Sequence, residues 1–185
     1  DDKAILAWET GNELTPPSAA WTTEMGTYIK SIDANHLLID GKYGIDSSSL
    51  DAGSPIDIVS NHYYPNHYSN FADQVNVDKN MARGKKPFYV GEFGFIPKTQ
   101  LAPFLNNVIE SGTSGALIWS LRYHSEDGGF FRHTEGTYGG TFYEAYKWPG
   151  FPAGESSFEE SSVLNLLRDK AYEIRGISKP ALPVP

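Results

Sequence analysis

Pro87-Phe88-Tyr89-Val90-Gly91-Glu92-Phe93-Gly94 is a short apolar run that stops on a carboxylate held between two glycines. Its apolar residues are continuous rather than alternating, which is the pattern of a parallel strand covered on both faces. Working outward, four more runs have the same plan. Ala4-Ile5-Leu6-Ala7-Trp8 precedes Asn12 and Glu13, and Leu37-Leu38-Ile39 precedes Asp40. Ile56-Asp57-Ile58-Val59-Ser60 precedes Asn61, His62 and Tyr64, and Ala116-Leu117-Ile118-Trp119 ends on its own tryptophan. Between these runs lie segments with apolar residues at helical spacing. Residues 19–32 follow Ser18 as N-cap, residues 71–83 stop at Gly84, residues 101–111 stop at Gly112, and residues 162–175 stop at Gly176. The tail, residues 179–185, is proline-rich and reads as extended.

Strand and helix in strict succession make an α/β fold with a parallel sheet. One polar or aromatic residue at each strand end, 13, 40, 62, 92 and 119, gives gaps of 27, 22, 30 and 27. A (β/α)₈ barrel spends roughly 31 residues on each unit and builds its active site at the C-terminal ends of its strands. The expected architecture is therefore part of a TIM barrel, read as one domain over residues 1–185. Residues 122–160 interrupt the rhythm with a long insertion rich in glycine and aromatics, too long for a routine connection.

Composition narrows the partners. With 39% apolar and 21% charged residues the chain is an ordinary globular sequence, and no stretch approaches the length of a membrane helix. A net charge of −8 argues against nucleic acid and against a strongly anionic polymer. The absence of cysteine excludes disulfides and thiolate metal sites. Tyr 11, Phe 10 and Trp 4 make the chain rich in rings, which serve a large aromatic core or stacking against sugar faces.

Glu13 and Glu92 are the candidate catalytic pair. Cleavage of a glycosidic bond needs one carboxyl to protonate the leaving oxygen and another to meet the developing cation. In retaining enzymes the two stand about 5–5.5 Å apart. Tyr64 is placed to donate to Glu92, Asn12 to bind a sugar 2-hydroxyl, and Trp119 to form a floor under the sugar. The histidines show no metal spacing, so no metal and no cofactor is expected.

Trp8-Glu9-Thr10-Gly11-Asn12-Glu13-Leu14, His62-Tyr63-Tyr64-Pro65, Gly91-Glu92-Phe93-Gly94 and Leu117-Ile118-Trp119-Ser120 resemble strands four, six, seven and eight of glycoside hydrolase family 5. The mannan-active β-mannanases come nearest. The resemblance implies a (β/α)₈ barrel and a retaining mechanism, with Asn12-Glu13 as the acid/base motif and Glu92 as nucleophile. It also assigns His62 and Tyr64 to the family's His-x-Tyr and Trp119 to the strand-eight platform. Leu14 departs from the proline that usually follows Asn-Glu. Residue 1 falls just before the run matched to strand four. The resemblance thus implies that the chain runs from strand four to helix eight. An N-terminal barrel half would then be a partner, as a second chain or a cleaved fragment, and the substrate would be a β-linked polysaccharide or oligosaccharide met outside the cell.

Other readings stay open. A half-barrel that binds sugar or a partner without turnover fits the same residues, and β-glucan competes with mannan as substrate. Glu9 reads as a structural partner, Asp40 as a strand-end cap, and Trp8 and Trp21 as core. Trp148 reads as rim platform or loop packing. Arg122, His124, Glu126 and Asp127 are sugar contacts or a solvated loop.

Overall fold

The computed structural model describes residues 2–15, 18–65, 68–96, 98–122, 134–138, 141–144, 146–147 and 160–181. The tail beyond residue 181, together with Trp148, His67, His124, Glu126, Asp127 and His133, lies outside them, and of Arg122 only the backbone is described. Five strands, β1 (Ala7–Glu9), β2 (Leu37–Ile39), β3 (Val59–Tyr63), β4 (Phe88–Phe93) and β5 (Ala116–Ile118), alternate with helices α1 (Ala19–Ile32), α2 (Phe71–Ala82) and α3 (Lys98–Glu110). A 3₁₀ turn, Ser47–Leu50, precedes β3.

The strands pair in parallel in chain order. Ala7 pairs Leu37, Val59 pairs Phe88 and Val90 pairs Ala116, and an Ile39–Ile58 bridge joins the two blocks. Sequential parallel strands with a helix at most crossovers are the open arc of a (β/α)₈ barrel. Helix α4 (Glu160–Arg175) closes the order, after four short strands, β6 (Leu121–Arg122), β7 (Thr134–Tyr138), β8 (Thr141–Glu144) and β9 (Tyr146–Lys147). The insertion read as a loop thus contains a β7–β8 antiparallel hairpin and a β6–β9 pair.

Between the sheet and helices α2, α3 and α4 lies an aromatic core. The Phe104 ring sits 5.4 Å from Phe93, 5.6 Å from Phe71 and 6.2 Å from Tyr63, and Val75, Leu101, Val163 and Leu164 fill the rest. Helix endings fall where the glycines predicted them. Gly84, Gly112 and Gly176 take positive φ, which costs glycine no Cβ clash. Ser18 caps α1 by accepting from the Trp21 amide.

Several strand limits differ from the sequence reading. β1 starts at Ala7, because Asp2 draws the chain into a turn, accepting from the amides of Ala4 and Ile5. β3 starts at Val59, because the amides of Asp57 and Ile58 are spent on the Leu38 carbonyl. Trp8 is 42% exposed rather than core. Its indole donates to Asp33 at the end of α1, and its ring stands edge-on to His36. Helix α1 buries Thr22 and Gly26 and leaves Tyr28 and Ile32 exposed. It approaches the sheet through its small residues: a Cβ on Gly26 would lie 2.6 Å from Pro55 Cγ.

His36 closes a clasp over β1. Its Nδ1 faces the Asp33 carboxylate at 2.5 Å and its Nε2 faces the Asp2 carbonyl at 3.1 Å. The Asp2 carbonyl and then Asp33 raise the His36 pKa, and the Trp8 and His36 bonds hold Asp33 well below the usual carboxylate range. A raised histidine stabilises fully below its unfolded pKa of about 6.5 and loses that as pH rises through the folded value. A depressed aspartate stabilises above about 3.9 and loses that as pH falls. The clasp is therefore strongest between roughly pH 4 and 6.5. Thermal unfolding followed across neutral pH should show the midpoint falling as pH rises, and His36→Gln should flatten that fall. An unchanged slope in the variant would remove the clasp from the pH response.

Candidate functional site

The C-terminal ends of β1, β3 and β4 bring three side chains to one point. His62 Nδ1 lies 2.8 Å from Glu13 Oε1 and 3.3 Å from Glu92 Oε2. One oxygen from each carboxylate and this ring nitrogen all lie within 4.8 Å of one another. His62 Nδ1 thus bridges the two glutamates, donating or accepting according to which of the three groups carries the hydrogen. The Tyr64 hydroxyl donates to Glu92 Oε2 at 2.5 Å, and its ring stacks 5.7 Å from Phe95. The His62 side chain is 5% exposed, Glu92 18% and Glu13 37%, so the group grades from buried to open.

Local backbone explains how these side chains converge. Glu13 takes a positive φ of 50° in the turn after β1. For a non-glycine residue that conformation persists only when its surroundings impose it. Here the Leu14 amide donates to the Gly41 carbonyl and the Tyr43 amide to the Leu14 carbonyl, which ties the Glu13 turn to the loop after β2. Gly41 must be small, because a Cβ there would lie 2.1 Å from the Gly11 carbonyl oxygen. On β4 the pairing with β3 slips between Asn61 and His62, so that Val90 pairs Asn61 and Glu92 pairs His62. The slip leaves Gly91 opposite nothing and sets Glu92 level with His62. A Cβ on Gly91 would come within 3.0 Å of the His62 ring.

Of the remaining expected contacts, Asn12 is exposed in the same turn as Glu13. Trp119 follows β5, with its amide bonded to the Phe93 carbonyl, one residue past Glu92. Its carbonyl sits against Gly94 and the Trp119–Ser120 peptide is cis. Glu13, His62, Tyr64 and Glu92 are thus drawn together, with Asn12 and Trp119 on the same rim.

Below this point lies a second acidic layer that the sequence reading did not assemble. Glu9, the last residue of β1, is exposed, and its pKa is raised, chiefly by partial desolvation of its carboxyl. His62 opposes that shift, Asp40 and Glu92 add to it, and a hydrogen bond with Tyr89 lowers it. Asp40 does not cap the strand end with its side chain. It is 1% exposed, neither carboxyl oxygen has a well-formed hydrogen bond among the described residues, and burial pushes its pKa up to about 6. Ser49 and Lys42 lie close enough to moderate the shift, although Ser49 Oγ makes no well-formed bond of its own. Tyr89, two residues before Gly91, could have been found from strand alternation, which points both inward.

A carboxylate–histidine–carboxylate trio is also a set that a divalent cation accepts.

No family model matches the chain. Among curated proteins it is similar to mannan endo-1,4-beta-mannosidase 4 of Solanum lycopersicum, 33% identical over 135 residues, 54% of this chain and 34% of that protein. It is also similar to mannan endo-1,4-beta-mannosidase 1 of Oryza sativa subsp. japonica, 28% identical across 97% of this chain and 50% of the relative. Among solved structures, the endo-1,4-beta-D-mannanase of Thermotoga petrophila superposes with a TM-score of 0.67. It is 20% identical, over 95% of this chain and 58% of that one. The glycoside hydrolase family 5 mannosidase of Rhizomucor miehei gives 0.64 at 15% identity, over 95% and 52%. Sequence likens this chain to mannan endo-1,4-beta-mannosidases, and fold likens it to mannanases that include a family 5 enzyme. It spans about a third of the tomato relative and half of the rice one. The fold is accordingly part of a (β/α)₈ barrel, with the glutamate pair at the strand ends where such barrels carry their sites.

Packing at this rim is tight enough to test. A Cβ on Gly94 would lie 2.5 Å from the Trp119 carbonyl oxygen and 3.2 Å from the Tyr64 ring. Gly94→Ala should therefore cost about 1–3 kcal/mol, the usual penalty for overpacking a filled site. Denaturant unfolding measures this, and a loss below about 0.5 kcal/mol, the ordinary range for surface changes, would show the contact to be loose.

Proposed function

We propose that this chain carries the catalytic glutamates of a retaining β-glycoside hydrolase acting on β-1,4-mannan. The observation that carries the reading is the approach of the Glu13 and Glu92 carboxylates to within 4.8 Å across one histidine. Oxygens that close favour double displacement, which brings the two carboxyl groups to about 5–5.5 Å, over the 6.5–9.5 Å with which an inverting enzyme seats its water.

The environments divide the two roles. Glu92 Oε2 accepts from the Tyr64 hydroxyl and lies 3.3 Å from His62 Nδ1, which leaves the other oxygen to attack the anomeric carbon. Glu13 is the more open of the pair and stands ready to give its proton to the leaving oxygen. In the first step a bond forms from Glu92 to the anomeric carbon while the glycosidic bond breaks and Glu13 protonates the departing sugar. In the second, Glu13 takes a proton from water, and that water displaces Glu92. Asn12 contacts the sugar 2-hydroxyl, and Trp119 provides the floor. The mannan assignment is drawn from the similarity to mannan endo-1,4-beta-mannosidases.

In the same reading, residues 1–185 are one portion of a catalytic domain that acts outside the cell and needs further βα units to close its barrel. Two facts support the need. The chain spans at most half the length of these curated relatives. Among the described residues β1 and β5 each pair on one side only, and such edges are covered in soluble proteins. Hydrolysis of mannan by a preparation whose intact mass shows this chain alone would dismiss the requirement.

Glu92→Gln keeps the shape of the side chain and removes the nucleophile. Reducing-sugar release from mannan should fall by at least about 10³-fold, the scale of losing a group that acts in the chemical step, while mannooligosaccharide binding persists by calorimetry. Retained turnover in the variant defeats the assignment of Glu92. Binding without turnover in the parent protein would leave a sugar-binding half-barrel instead.

A further inference from the structure

The strand slip that seats His62 between the two glutamates is held from outside the sheet. The His62 amide finds its acceptor in the side chain of its neighbour, Asn61 Oδ1, at 2.8 Å. The same oxygen accepts from the Gly44 amide at 2.9 Å, in the loop whose residues Gly41 and Tyr43 fix Leu14 beside Glu13. Asn61 Nδ2 donates to the Tyr68 hydroxyl at 3.0 Å and to Asp78 Oδ2 at 2.8 Å. All four hydrogen-bonding positions of the amide are used, and Asn61 is 0% exposed.

Asp78 lies on α2 and is 3% exposed. It accepts from three neutral donors: Asn61, the Tyr63 hydroxyl at 2.5 Å and Gln74 Nε2 at 2.9 Å. A buried carboxylate costs several kcal/mol to desolvate unless bonds compensate it. Those bonds fix its oxygens, and with them the amide orientation of Asn61. If Asn61 turned over, it would present its NH₂ to the amides of His62 and Gly44, four donors facing one another. Asp78 accepts on the opposite side and makes that flip unfavourable.

We propose that Asp78 is a positioning residue for the Glu13–His62–Glu92 group. It acts through Asn61 on both the β3 slip and the Glu13 turn, without touching the reacting atoms. The proposal rests on the reading of that group as a catalytic centre, but its structural half is separable.

Asp78→Asn keeps the volume and replaces one of the two carboxylate oxygens with an NH₂, so that three donors are left with one acceptor. In the full chain, long-range proton–nitrogen spectra of the His62 ring should shift relative to the parent, while thermal unfolding stays cooperative. Glu24→Gln, an exposed change on α1, should leave them in place. In hydrolytically active protein, kcat should fall about 10- to 100-fold with KM little changed, the scale set by misplacing a catalytic group by about 1 Å. If Asp78→Asn does not fold, Asn61→Ser, too short to reach Asp78, is read in the same way. His62 resonances identical to the parent in the folded variant overturn the proposal. A His62 shift in a parent protein that hydrolyses no β-linked sugar overturns the enzymatic reading and leaves the positioning intact.

Discussion

The placing of His62 Nδ1 between two carboxyl groups is the constraint on which this arrangement turns. Glu13 and Glu92 are 79 positions apart in sequence, and like charges this close repel unless something between them is positive or donates. For His62 to do so, the ends of β1, β3 and β4 must reach the same height. The sheet reaches it by two irregularities, the left-handed turn at Glu13 and the slip that leaves Gly91 unpaired. Both are costly locally and both are held by bonds from neighbouring elements. The strain is placed at the strand ends, and the helices behind them supply the core that holds it.

Most of the fold was legible because its determinants are local. Ser18, Gly84, Gly112 and Gly176 act within one turn of a helix end, and their positions could be read directly. Strand limits were less legible because they depend on where distant amides are spent. Residues 4–6 have strand composition, yet Asp2 takes the amides of Ala4 and Ile5 into a turn. Ile56 belongs to an apolar run, yet Leu38 collects the next two amides. Trp8 shows a second limit. An aromatic at the end of an apolar run reads as core, but an indole N–H with Asp33 in reach has reason to remain at the surface.

At the site, residue types and order pointed to Glu13, His62, Tyr64 and Glu92, since chemistry restricts which side chains can do such work. Their support was not legible. Asn61 stands beside His62 in the sequence, but nothing in Ser60-Asn61-His62 reveals that its amide serves four partners, on β3, on α2 and in two loops. Asp78 looks like any acidic residue in a helix. Its role comes from the face of α2 that meets β3, a property of helix packing that no window around residue 78 contains.

The same three-dimensional arrangement sets several acids close together. Glu9 and Glu13 at the end of β1, Asp40 after β2 and Glu92 on β4 gather at one end of the strands in a chain of net charge −8. Desolvation works against Glu9 and Asp40 first, raising both, with Asp40 reaching about 6. Glu92 instead accepts from the Tyr64 hydroxyl and lies 3.3 Å from His62 Nδ1. Carboxyl groups alike in sequence thus meet different surroundings according to which strand end carries them.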